Sequence, residues 1–133
     1  MSVLKNIHHL TFVVADLDAA VLAYERKLGL EPFLYDELPS RGVTTARVKV
    51  GDVWIVLVSP QDDDSEVAQQ LAANGEGLLL MSFGVDDLEQ AVADLAARGT
   101  SASARRVGVD NWQIADIDTL AELKVNCHLT QSG

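Results

Sequence analysis

Cysteine is almost missing from this 133-residue chain. Cys127 stands alone, so no disulfide can close within it, and a reducing cytoplasmic setting is expected. Basic residues are scarce as well. Ten Lys and Arg stand against twenty Asp and Glu, a formal charge of −10. Such a surface repels phosphate backbones and anionic lipid, which excludes nucleic-acid and membrane-surface partners. Long apolar runs are absent too. Residues 7–14 and 78–85 are strand-length, and two histidines interrupt the first. Neither suits a signal peptide core or a membrane span. Proline numbers only three, and no Pro/Ser/Gly tract or charge block occurs. With 48% hydrophobic and 23% charged residues, the composition is that of one globular domain over residues 1–133, not of a disordered chain.

What the chain does contain is a copy of itself. Residues 14–24 read VADLDAAVLAY and residues 85–95 read VDDLEQAVADL, an offset of 71. Val14/Val85, Asp16/Asp87, Leu17/Leu88, Ala20/Ala91 and Val21/Val92 are identical pairs. Both segments predict helices. Asp16 and Asp87 can accept from the first backbone N–H groups. The apolar residues that follow keep the i, i+3, i+4, i+7 stripe of an amphipathic helix. Gly29 and Gly99 supply stops.

A strand precedes each helix, at 7–14 and 78–85. Three strand-like runs follow each, near 31–36, 42–50 and 53–59, then 101–107, 111–116 and 122–130. Val50-Gly51-Asp52-Val53 predicts a tight hairpin, and an extra helix is expected near 64–74. The chain thus reads βαβββ twice, as module one (1–74) and module two (75–133). A period of 71 is too long for a solenoid. The expected class is α+β, with two pseudo-symmetric modules forming a curved, mostly antiparallel half-barrel around a central cavity.

Strand residues alternate faces. His9 and Thr11 share one face of the first strand. Thr45 and Arg47, Trp54 and Val56, Leu80 and Ser82, and Lys124, Asn126 and His128 take the equivalent face of theirs. This mixed face is expected to line the cavity, while the Val/Leu/Cys face packs on helices. His8 falls on the opposite parity and is read as an ordinary partly buried residue. A lone strand histidine is more often structural than reactive. Two on equivalent faces, His9 and His128, tilt that balance. Arg47 and Lys49 fit either a protected sheet edge or a carboxylate-holding role. Trp54 and Trp112 are read first as packing residues. Asp62-Asp63-Asp64 lacks the alternating spacing of a calcium loop.

The doubled βαβββ pattern with a first-strand histidine resembles the vicinal oxygen chelate superfamily of glyoxalase I, extradiol dioxygenases and bleomycin-resistance proteins. Within it, the chain is most similar to methylmalonyl-CoA epimerases. Segments 7–31 (IHHLTFVVADLDAAVLAYERKLGLE), 37–43 (ELPSRGV), 59–78 (SPQDDDSEVAQQLAANGEGL) and 83–99 (FGVDDLEQAVADLAARG) carry the likeness. The resemblance implies four metal-ligand positions, falling at His9, Val56, Leu80 and His128. It places a catalytic acid at Thr45. Two of the four positions are therefore aliphatic. A divalent ion needs three or four donors, so no functional metal and no other cofactor is expected. The resemblance also implies a homodimer.

Two histidines without a metal can still exchange protons. The expected function is a metal-independent isomerase, lyase or cyclase. His9 and His128 would act as base and acid on a small carbonyl or acyl compound, polyketide- or thioester-like by resemblance. Thr11, Thr45, Arg47, Trp54, Val56, Leu80, Ser82, Trp112 and Asn126 are the expected ligand-binding residues, with Arg47 or Asn126 stabilising oxyanion charge. The alternative is a non-catalytic binder that sequesters a small molecule, as resistance-type relatives do. A metal-dependent epimerase-like enzyme stands third.

Overall fold

A computed structural model describes residues 2–132; Met1 and Gly133, the outermost residues of the expected domain, lie outside it. Among the described residues eight strands and three of the four helices follow in the expected order. The first module runs β1 (Asn6–Val13), α1 (Leu17–Leu28), β2 (Leu34–Leu38), β3 (Val43–Val50), β4 (Val53–Pro60) and α2 (Glu66–Asn74). The second runs β5 (Gly77–Gly84), α3 (Leu88–Ala97), β6 (Arg106–Val107), β7 (Gln113–Ile117), α4 (Leu120–Leu123) and β8 (Asn126–Gln131). The α+β class and the doubled βαβββ order both hold.

The helix signals act as read. The Asp16 carboxylate accepts from Ala19 N–H at 3.0 Å, and that of Asp87 from Gln90 N–H at 3.1 Å. Gly29 ends α1 in the left-handed region, at φ 69°. Val50 pairs with Val53 around Gly51, whose φ of 61° the hairpin requires.

The chain forms two compact units, divided within β1 between His9 and Leu10 and within β5 between Leu79 and Leu80. In the unit of residues 10–79 the hydrogen-bonded order is β2-β3-β4-β1, and β2/β3 and β3/β4 are antiparallel. One face of this sheet buries Ala46, Val48 and Leu57 against Leu17 and Val21 of α1. On the other, Val13, Val43 and Val58 pack on Val67 of α2. The extra helix therefore covers part of the mixed face.

In the other unit the order is β1-β5-β8-β7-β6. The β5/β8 pair is parallel, whereas β7 is antiparallel to both β8 and β6. Ala115 and Leu129 pack on Leu88 and Ala91 of α3. The opposite face carries Ser82, His128, Thr130, Asp116 and Arg106.

Two elements differ from expectation. The run 101–107 is a strand only at Arg106–Val107, with an isolated bridge from Ala102 to Ile117. Thr100-Ser101-Ala102-Ser103-Ala104 has one β-branched residue in five, so little holds it extended. The last strand begins at Asn126, not 122. Residues Leu120–Leu123 instead form a helical turn that closes on Lys124 in the left-handed region, at φ 65°. Lys124 is thereby removed from the strand face on which it was expected. The register from Asn126 onward keeps Asn126, His128 and Thr130 together, opposite Cys127 and Leu129.

Candidate functional site

Three histidines, a tryptophan and an Arg–Asp pair form two polar groups within the unit built from residues 2–9 and 80–132: His8, His9 and Trp112, and Arg106, Asp116 and His128. His9 joins the first from β1. Its ring stacks on the Trp112 indole, with centroids 4.9 Å apart and planes at 21°. His8 meets the same indole edge-on, with centroids 4.6 Å apart. The two histidines face each other through Nδ1, 2.8 Å apart. Alternation fixes where each Cβ points, but an imidazole extends far enough past Cβ to turn back, and both rings do so toward Trp112.

A tight turn delivers Trp112. Asp110 and Asn111 both take positive φ, and the Gly108 N–H donates to the Trp112 carbonyl at 2.8 Å. A Cβ on Gly108 would lie 2.6 Å from Ile114 Cδ1. The indole is buried, at 3% exposure.

His128 comes from β8, directly opposite Asp116 on β7. Its Nε2–H donates to Asp116 Oδ1 at 2.6 Å, and Arg106 Nη1 donates to Oδ2 at 2.6 Å. Arg106 Nη2 and His128 Nε2 lie 3.3 Å apart. The carboxylate thus bridges two donors that would otherwise crowd each other. The hydrogen bond from His128 holds Asp116 well below the usual carboxylate range, against the opposing effect of partial burial, and Arg106 adds to it. Burial first, then His8 and His128, push the His9 imidazole down from 6.5 to about 3. His9 is therefore neutral at physiological pH.

The expected site residues divide between the units. His9, His128 and Trp112 join the groups described above. Ser82 is fully buried, and its hydroxyl is closed in a 2.6 Å hydrogen bond with Thr130. Leu80 is buried opposite the half-buried Asn126. In the other unit Thr11, Thr45, Arg47 and Val56 are buried. Arg47 is paired with Asp36, and its guanidinium lies 5.2 Å from the Trp54 ring centre, with Lys49 Nζ at 5.7 Å. Thr45 donates to the Asp36 carbonyl at 3.4 Å.

His8 was read only as an ordinary strand residue, and Arg106 and Asp116 were not singled out from the sequence. The strand register, not the sequence offset, relates the last two to the first module. Asp36 faces Thr45, two residues before Arg47, and Arg47 faces Val56. Arg106 faces Ile114, two residues before Asp116, and Asp116 faces His128. The rows Asp36–Arg47–Val56 and Arg106–Asp116–His128 are thus equivalent, with acid and base exchanged.

A divalent cation does not fit this donor set. Val56 and Leu80 offer no lone pair, and among the described residues no three His, Cys, Asp or Glu side chains group as a metal site requires.

The model of the Glyoxalase/Bleomycin resistance protein/Dioxygenase superfamily matches residues 8–115, most of the chain. The chain belongs to this superfamily. The methylmalonyl-CoA epimerase of Mycobacterium tuberculosis superposes with a TM-score of 0.93 at 26% identity, covering 100% of this chain and 91% of that one. A variant Streptomyces coelicolor methylmalonyl-CoA epimerase in complex with 2-nitronate-propionyl-CoA gives 0.92 at 29% identity, covering 98% and 96%. The 4-hydroxyphenylpyruvate dioxygenase of Caenorhabditis briggsae is 31% identical over 96 residues, or 70% of this chain and 24% of that protein. The chain spans about a quarter of the length of such curated relatives. Among the described residues no helix is long and apolar enough to cross a membrane.

Proposed function

We propose that this superfamily member is a metal-independent enzyme of the isomerase, lyase or cyclase kind. It acts by histidine proton transfer on a small carbonyl or acyl compound, as a homodimer in the cytoplasm. The observation that carries this reading is the arrangement around His9. Its Nδ1 lies 2.8 Å from that of His8 and its ring stacks on Trp112. A neutral imidazole so held can take a proton from a ligand. The Arg106 guanidinium, held by Asp116 beside His128, favours negative charge developing on a ligand oxygen.

The weak basicity of His9 narrows the substrate. A nitrogen pushed down to about 3 removes only a strongly activated proton. A C–H between two carbonyls, as in a β-keto acyl compound, meets that demand. An ordinary ketone or simple ester does not.

The packing of Trp112 over His9 favours one other reading, a binder that orients a ligand without transforming it. Hydrogen–deuterium exchange separates the two. The protein is treated with chelator and mixed with β-keto acyl thioesters and esters in D₂O, and loss of the activated C–H signal is followed by NMR. Catalysed exchange, reduced about 100-fold in His9→Gln with ligand affinity retained, is expected. Exchange that requires added metal, or that His9→Gln leaves intact, would contradict the proposal. Affinity without exchange would establish the binder.

A further inference from the structure

Arg47 is a buried cation in the middle of its sheet. Leu34 of β2 and Val56 of β4 flank it on either side, so it does not guard an open strand edge. Its side chain is only 8% exposed. Taking a guanidinium out of water is costly unless negative charge meets it. Asp36 supplies one carboxylate, which holds the guanidinium through Nη1.

A second cation lies on the same face. Lys49 follows two residues later on β3, directly opposite Trp54. Its Nζ is 5.7 Å from the centre of the Trp54 ring, and the Arg47 guanidinium carbon is 5.2 Å from it. One indole thus has two cations against it. Each is attracted to the ring, but the two repel one another. Among the described residues Lys49 makes no ion pair. Asp36 is therefore the one carboxylate paired within this group of two positive charges, in a chain whose formal charge is −10. The rest of the surface here is apolar. Val56, opposite Arg47, is buried, and Trp54 is half-buried.

We propose that Arg47, Lys49 and Trp54 form a receptor for a small organic carboxylate with an apolar body. The carboxylate lies against the two cations and relieves their repulsion. Asp36 orients the planar guanidinium, the group best matched to a carboxylate. The carbon body packs on the Trp54 indole and Val56, as apolar walls with a few polar groups do in small-molecule sites. This goes beyond the proton-transfer reading and does not depend on it. The receptor lies wholly within the unit of residues 10–79, whereas His9 belongs to the other.

The Trp54 indole N–H reports on this site in ¹H–¹⁵N spectra of the full chain, and Trp54→Phe identifies its signal. Benzoate and phenylacetate are the probes. Benzamide and phenylacetamide keep the shape without the charge. Inorganic phosphate and acetate keep the charge without the body. A saturable shift of the Trp54 signal is expected with a probe carboxylate at millimolar concentration, with the matching amide at least about tenfold weaker. Lys49→Gln is expected to weaken binding severalfold, and Arg47→Gln to abolish it. Lys49 is exposed, so its variant keeps the test open if Arg47→Gln fails to fold. Carboxylate and amide binding alike would overturn the proposal. So would affinity unchanged in Lys49→Gln, or phosphate or acetate binding as tightly as benzoate. No shift from either probe carboxylate would also overturn it, leaving Arg47 and Asp36 as a structural ion pair.

Discussion

His9 keeps a neutral imidazole in a buried position, and this has a cost that depends on pH. Its folded-state value, about 3, lies below the ordinary 6.5. Between these limits the unfolded chain binds a proton that the folded chain does not. Stability therefore rises with pH across that window, and falls as the pH drops from about 6.5 toward 3, by up to about 1.4 kcal/mol per unit. Replacing His9 removes the penalty. Urea unfolding of His9→Gln is expected to show a shallower loss of stability between pH 6.5 and 4 than the unaltered protein. Parallel pH profiles would contradict the burial of a neutral His9. His9 and His128 could be picked from alternation alone, because their Cβ directions follow the strand period. His8 could not, because its ring direction depends on side-chain torsions and on Trp112, which arrives from a turn more than a hundred residues away.

At the scale of elements, what could be read was local. The starts of α1 and α3 each rest on one aspartate and the N–H three residues on, and both caps formed. Asp16→Ala and Asp87→Ala are each expected to cost about 1 kcal/mol, measured as a lowered midpoint of thermal or denaturant unfolding. A variant as stable as the parent would show that its helix is held by packing alone. The alternation of β8 was equally legible, since Asn126, His128 and Thr130 alternate with Cys127 and Leu129. The segments misplaced were those where composition and hydrogen bonding disagree. Residues 100–104 lack branched side chains but remain tied to β7 through Ser103 N–H to the Asp116 carbonyl and Asp118 N–H to the Ser101 carbonyl. Residues 122–124 alternate like a strand, but the Lys124 N–H closes on the Leu120 carbonyl at 3.0 Å. The Thr119 hydroxyl also bonds the Val125 carbonyl at 2.8 Å. Together these contacts make a helical turn the better local solution. The Arg106–Asp116 pair stayed hidden because it depends on a diagonal between strands, which only the register reveals.

For the molecule as a whole, the doubled βαβββ plan and the superfamily are settled, but the chemistry depends on a few positions. The resemblance to methylmalonyl-CoA epimerases implies a ligand position on each of four strands. This chain keeps nitrogen donors at His9 and His128 and puts valine and leucine at the other two. The same scaffold that can hold a metal would here have to work with proton transfer among histidines, an aspartate and an arginine. That loss of donors is the central claim, and metal uptake tests it most directly. The protein is incubated with Zn²⁺, Mn²⁺, Co²⁺, Ni²⁺ and Fe²⁺ in turn, desalted, and analysed for bound metal. Occupancy near zero for every ion is the predicted result. One ion per chain, lost in a His9→Ala, His128→Ala double variant, would contradict it and return the site to metal-assisted chemistry.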